Sequence, residues 1–386
     1  MNFGQIARYA LNRGALPFDA YHLEQAKEEL NFIVQDLWYK VTAEFRIAYD
    51  SISTVSGINQ YVLNKFFDRL VKNSFQGSST RQHFFSYLTP EEFYRRIQAQ
   101  NDSAGDPYVY SFGQVLGYDT QLTAASRVKA FSGLASSITG SVNVVNGDDR
   151  IKSSASIFTI NHVGLRFRRD GDSKTYKIGK FISGTELQLT EKYRGITGSS
   201  VNYKIGDVGI KVNVTGYVSG ELMSEEAELD GIAEVVTANT FTTINSISKS
   251  DRTGGRITVQ NEAGSNTLGV MAPGETVIER QSILLWPNPT GIEALTYSFY
   301  MHHPYLWLDT DRILIPKRYE SLIAYKLTAR ILELTGQTVP PLFLADLLRK
   351  QGQFDNDSED SSLMDAVPDD DTDQGIRINR YFDKLV

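Results

Sequence analysis

Apolar positions in the first hundred residues recur mostly at helical spacing. Leu23, Ala26, Leu30, Ile33, Val34, Leu37, Val41, Phe45 and Ala48 predict a long helix over residues 19–48, with Asp19 as its N-cap. Ile58, Val62, Phe66, Leu70 and Val71 predict a second helix over 57–73, with Ser56 as its cap. A short strand over 83–88 leads into Thr89-Pro90-Glu91-Glu92, a capping box that starts a third helix at Pro90. Gly105-Asp106-Pro107 is a turn before the aromatic strand Tyr108-Val109-Tyr110-Ser111-Phe112.

The clearest pattern lies between Ser282 and Leu334. Ile283 to Trp286 is an apolar strand stopped by Pro287-Asn288-Pro289-Thr290-Gly291, whose prolines have no N–H to give a ladder. Leu295, Tyr297, Phe299 and Met301 then alternate with Thr296, Ser298 and Tyr300. That is the period of a half-buried strand, predicted to pair back on the first as a hairpin. Pro316 opens a helix with Tyr319, Leu322, Ile323, Leu327, Ile331 and Leu334 as its buried stripe and Gly336 at its C-terminal cap.

Between about residues 113 and 280 the helical period is lost and Ser, Thr, Gly and Val dominate, with turns every ten residues or so. Two all-β units are expected there, a small barrel and an Ig-like sandwich. The predicted fold is α+β and multidomain: a helical core with a β-hairpin, into which both β domains are inserted. The division is 1–112 and 282–350 for the two halves of the core, 113–205 for the barrel and 206–281 for the sandwich. Pro340-Pro341 opens a short helix to about Lys350. Residues 351–375 are polar and rich in Asp, too poor in apolar surface to fold alone, and the chain ends in basic and aromatic I-R-I-N-R-Y-F-D-K-L-V. Residues 351–386 are therefore read as an acidic tether with a docking segment.

Composition narrows the function. An apolar share of 41% and a charged share of 22% fit a soluble globular chain. No apolar run reaches the ~18–20 residues that cross a bilayer, and the N-terminus lacks a secretory pattern, so no membrane partner is expected. A net charge of −7 argues against broad affinity for nucleic-acid phosphate, although DNA can slide past such a surface. With no cysteine there is neither thiolate nucleophile nor cysteine-held zinc.

Candidate chemistry is sparse. His22, His83, His162, His302 and His303 include no pair at the spacing of a metal-binding helix, and His302 and His303 should face opposite ways on a strand. Glu91-Glu92 and Glu225-Glu226 read as caps and solvated charge rather than facing glycosidase acids. Asp148-Asp149 and Asp309-x-Asp311 lack an EF-hand's ligand register. Arg166-x-Arg168-Arg169 is the best phosphate candidate, with Asp170 and Asp172 beside it favouring inter-strand salt bridges instead. No catalytic residue, cofactor or metal site is expected, and the chain is read as a non-enzyme.

Outside the β-rich middle, one ordered series stands out. It runs Tyr87-Leu88-Thr89-Pro90-Glu91-Glu92-Phe93, Gly105-Asp106-Pro107-x-x-Tyr110, Leu284-Leu285-Trp286-Pro287-Asn288-Pro289, then Pro316-Lys317-Arg318-Tyr319-Glu320-Ser321-Leu322. In that order it resembles the head-to-tail adaptor (connector, head-completion) proteins of tailed bacteriophages. The resemblance covers roughly residues 19–112 and 282–350, with Thr89-Pro90-Glu91-Glu92 where the family usually has Leu-Pro-x-Asp. It implies a ring of about twelve copies in the virion neck, assembled in the host cytoplasm, with the portal above and tail, nozzle or fibre proteins below. Genomic DNA would pass through without specific binding. The C-terminal segment, through Arg377, Arg380, Tyr381 and Phe382, would dock on the portal. A fibre-anchoring or nozzle component is the alternative, and a glycan-degrading tail enzyme a more distant one.

Overall fold

The computed structural model describes residues 2–41, 43–72, 74–77, 85–100, 104–134, 140–231 and 233–365. Among these, the chain forms six α-helices and five β-sheets. It is mostly β, 37% strand against 24% helix, and no helical adaptor core is formed. The expected fold class is corrected on that ground.

The helices are α1 (Phe3–Arg13), α2 (Ala20–Lys40), α3 (Ala43–Arg46), α4 (Pro90–Gln100), α5 (Glu320–Leu334) and α6 (Pro341–Asp365). Helices α1, α2, α5 and α6 share one apolar cluster, so the two ends of the described chain meet in a single helical lobe. Asp19 caps α2 through the His22 N–H at 2.9 Å, as its sequence position requires. The long predicted helix stops at Lys40 because Val41 is extended (φ −67°, ψ 146°) and Ile47–Ser53 is a strand paired along its length with Ala294–Met301. Tertiary pairing overrides the helical period there.

Three β units follow, each nested inside the last. The outermost is an aromatic sandwich. One sheet holds Ile47–Ser53, Ala294–Met301, Phe67–Leu70 and Gln76–Gly77; the other holds Gln60–Val62, Arg280–Trp286, Val109–Leu116 and Ser86–Tyr87. Ile283 and Leu285 from one sheet pack against Leu295, Tyr297 and Phe299 from the other. The two strands predicted as a hairpin therefore lie in different sheets, face to face. Ala294–Met301 keeps the alternation that a hairpin would give, whereas residues 283–286 are buried on both faces, with Leu284 and Trp286 packed beside Phe93. The predicted helix over 57–73 is two short strands instead. The Asn64 side chain accepts the Phe66 N–H (2.9 Å) and its carbonyl the Phe67 N–H (2.9 Å), which turns the chain sharply.

Inside this lies a second sandwich. Val208–Val218, Glu221–Asp230 and Thr243–Lys249 form one sheet, and Val128–Ser132, Val235–Val236, Ile257–Asn261 and Thr267–Met271 the other. Their inner faces make one core of Val, Ile, Leu, Phe and Met side chains. The strand Val128–Ser132 comes from the stretch expected to begin the barrel, so the chain enters this sandwich before the barrel and returns to it afterwards.

The innermost unit is a seven-stranded sheet spanning residues 142–206. Its two edge strands, Gly198–Val201 and Tyr203–Gly206, are separated only by Asn202, so the sheet curls round until its ends meet. Ile151, Phe167, Ile178 and Leu187 fill its interior, each fully buried.

Helix α6 runs through the first part of the stretch read as an acidic tether, which corrects that reading for residues 351–365. Phe354 is the reason. It is 1% exposed and packs edge-on against Tyr319 at 4.7 Å, while Asp357 accepts the Tyr319 hydroxyl at 2.7 Å. Residues 366–386 lie outside the described part of the chain.

Candidate functional site

Two neighbouring segments, the start of α4 and residues 105–109, converge with the distant residues 284–288. Thr89 caps that helix, its hydroxyl accepting the Glu92 N–H at 3.3 Å while Glu92 reaches back to the Thr89 N–H at 3.4 Å. Phe93 on the next turn is buried with Val109, Leu284 and Trp286. The Gly105 N–H donates to Asn288 O (3.0 Å) and the Tyr108 N–H to Trp286 O (3.1 Å). Gly105 lies close enough to Pro287 that an added Cβ would sit 3.4 Å from its ring. The T-P-E-E, G-D-P and W-P-N-P elements of the ordered series thus form one aromatic knot. The fourth element, Pro316 to Leu322, starts α5 in the helical lobe.

Tyr319, at the N-cap of α5, and Leu322, Ile323, Leu327 and Ile331 on the helix are buried in the cluster shared with α1 and α2. Leu334 is 42% exposed at the end of the helix. Gly336 stands at φ +70°, where a left-handed residue closes the helix and the Gln337 N–H reaches Leu332 O at 2.8 Å. Arg377, Arg380, Tyr381 and Phe382 lie outside the described residues.

The opposite face of α2 is an open surface. Tyr21, Phe32 and Tyr39, spaced eleven and seven residues apart, fall on one side of the helix and are 70%, 67% and 54% exposed. Tyr49 on the adjoining edge strand is exposed as well, and Arg46 lies over the rings of Tyr39 and Tyr300. Single exposed aromatics are ordinary; here three of them fall in one band along the helix.

The third feature is a charged cleft of about 520 Å³ where the helical lobe, the barrel and the second sandwich meet. Opposite charges bridge its walls. Lys177 of the barrel meets Glu24 of α2 at 2.5 Å, and Arg252 of the sandwich meets Glu28 of α2 at 2.5 Å. Arg252 also stacks over Trp307 at 4.4 Å and donates to the Tyr305 hydroxyl at 2.8 Å. Arg166 reaches Asp251 at 2.7 Å; Arg168 reaches Glu228 at 2.8 Å and also Asp230. The Lys204 ammonium and the Arg168 guanidinium hold the Asp230 carboxyl below its usual range. Burial pushes Asp251 upward, but the bonds from Arg166 and from the Arg252 backbone outweigh it and its net shift is downward.

Of the arginines singled out for phosphate, Arg166 and Arg168 are therefore spent on another lobe, and Arg169 donates to Ile196 O at 2.5 Å within the barrel. The partners of Arg166 and Arg168, namely Glu228, Asp230 and Asp251, escaped the sequence reading because they sit 60 or more positions away. The available signal was the alternation of Glu226, Glu228 and Asp230 along one strand.

The other candidates are structural. Glu225 accepts the Asn239 N–H at 3.0 Å, and Glu226 pairs with Lys211 at 2.6 Å. Asp149 accepts Gln188 at 2.7 Å, and Asp311 accepts the Trp307 and Leu308 N–H groups, each at 2.8 Å. Asp309 pairs with Arg8 and Lys27. His302 and His303 lie just past the strand that ends at Met301; His302 rests on Phe66 and His303 on Trp38. Among the described residues no three His, Cys, Asp or Glu side chains gather as metal ligands. No family model and no curated protein sequence matches the chain.

Proposed function

We propose that the chain is a structural protein of a tailed-phage virion, forming a ring that joins the portal to the tail and continues the DNA channel. The observation that carries this reading is the aromatic knot. Three elements of the adaptor-like series, up to 200 positions apart, are joined there by backbone hydrogen bonds and a shared core. The exposed band on α2 supports it, since a ring is built from heterologous contacts that need such a face on every copy. Partners are further copies, about twelve on the pattern of the resembled family, the portal through residues 376–386, and tail or nozzle proteins.

The test is assembly. Light scattering and negative-stain images of the full chain should give a closed ring that binds portal-containing heads. Removing residues 366–386 spares Phe354 and all of α6, so that variant should keep the ring and lose the heads. A full chain that stays monomeric at every concentration overturns the ring; a truncated ring that still binds heads overturns the docking role. The predominance of β structure favours a second reading, a nozzle or fibre-anchoring component. That reading predicts trimers or hexamers that do not bind the portal.

A further inference from the structure

We infer that the barrel is a hinged lobe, held against the second sandwich and helix α2 by ion pairs and able to swing away from them as a folded unit. Three independent observations meet in this. The first is the core. The interior of the barrel is closed on itself, and its apolar cluster is distinct from that of the sandwich and that of the helices. Nothing in it depends on being docked.

The second is the nature of the contact. Arg166, Arg168 and Lys204 stand on the outer faces of adjacent barrel strands, alternating with the buried Phe167, Tyr203 and Ile205. They meet Asp251, Glu228 and Asp230 of the sandwich, and Lys177 meets Glu24 of α2. The partners remain partly exposed, with side-chain exposures of 16% and 47% for Arg168 and Glu228. Partly solvated pairs of this kind are weakened by salt, whereas an apolar interface is not.

The third is the chain path. The barrel is reached near Gly140, at φ +132°, and left through Gly206, at φ +148°. Both values suit glycine and disfavour other residues; Gly206 stands where the backbone changes unit, and Gly140 borders residues 135–139, which lie outside the described part of the chain. Just beyond Gly206 the chain is pinned. Asp207, 1% exposed, accepts the Ser132 hydroxyl (2.5 Å) and the Gly254 (2.6 Å) and Gly255 (2.9 Å) N–H groups, all in the sandwich. A pivot beside a fixed anchor is the geometry of a hinge. Swinging the barrel out would open the cleft and uncover Arg166, Arg168, Lys177 and Lys204 together.

The absence of cysteine makes the test direct. Spin labels on Ser199→Cys in the barrel and Ser265→Cys in the sandwich, both exposed positions, report the distance between the lobes in the full chain. One short distance is expected at low salt and a second, longer population in 1 M sodium chloride. Arg168→Glu should produce that longer population at low salt, and adding Glu228→Arg and Asp230→Arg should restore the short one. Hydrogen exchange at Ile151, Phe167 and Leu187 should not change in any of these conditions. A single unchanged distance in high salt and in Arg168→Glu overturns the hinge. Loss of barrel protection together with the distance change also overturns it, because the lobe would then be unfolding. Neither result bears on ring assembly, which is read separately by light scattering.

Discussion

The aromatic sandwich and the barrel are both small β units, yet they are joined to the rest of the molecule in opposite ways. The sandwich is knitted from segments that lie hundreds of positions apart. Ile47–Ser53 pairs with Ala294–Met301, and Val109–Leu116 with Arg280–Trp286. Its lower edge is tied to the helices, with the Trp38 indole donating to Met301 O at 2.8 Å and Asn31 exchanging two hydrogen bonds with Leu306. The barrel is one continuous stretch, tied outward by ion pairs to the second sandwich and to α2 and by Leu165 lying against Gly254. The first arrangement makes the sandwich and the helical lobe interdependent. The second lets the barrel keep its structure while its position changes.

The largest expected effect separates the two directly. Phe299→Ala empties a fully buried site in the sandwich, and Phe167→Ala does the same in the barrel. Each should cost about 3–5 kcal/mol. Thermal unfolding followed by hydrogen exchange should show Phe299→Ala lowering protection in both the sandwich and the helical lobe. Phe167→Ala should lower it in residues 142–206 alone. Equal loss everywhere for Phe167→Ala would mean that the barrel is no independent unit.

A smaller effect comes from pH. His303 is 2% exposed; burial pushes its imidazole down to about 4, with the bond to Pro304 O opposing. Its Nε2 accepts the Leu314 N–H at 3.1 Å and its Nδ1 faces Pro304 O at 2.8 Å, an arrangement that a neutral ring with its proton on Nδ1 satisfies. Below 6.5 the unfolded chain takes up a proton that the folded chain refuses. This contribution is therefore complete above pH 6.5 and shrinks as pH falls toward 4, by up to about 3 kcal/mol. Denaturant titrations at pH 7 and pH 4.5 should show the loss, and His303→Gln should flatten it. An unchanged slope in that variant would assign the loss to other groups.

Much of this was legible where local chemistry decides the outcome. The Asp19 and Thr89 caps, the α5 stripe up to Ile331 and the alternation of Leu295, Tyr297 and Phe299 all depend on neighbours within a few residues. The misreadings arise where a distant partner decides. Ile58, Val62, Phe66 and Leu70 have helical spacing, but a turn at Asn64 and pairing with Ser282–Leu284 and Phe299–Met301 make strands of the segment. Phe354 looked like one apolar residue in an acidic run until Tyr319 supplied the surface that buries it. The charged cleft was half visible: its arginines stood out, but their acids lie on another unit.

The smallest expected effect sharpens the contrast within the barrel itself. Lys174 and Glu191 form a pair at 2.9 Å with side-chain exposures of 47% and 46%, on a part of the barrel that touches no other lobe through this pair. Arg168, at 16%, lies between Glu228 and Asp230 across the junction. Lys174→Ala should change stability by no more than about 0.5 kcal/mol, because solvent already screens the pair and holding two long side chains costs entropy. Arg168→Ala should cost more, since it removes the cation that bridges Glu228 and Asp230 across the junction. Salt should discriminate further, with 1 M sodium chloride narrowing the gap between the two variants in a denaturant titration. If Lys174→Ala proved as costly as Arg168→Ala at low salt, the junction would hold no special share of the barrel's electrostatics, and its docking by charge would have to be given up.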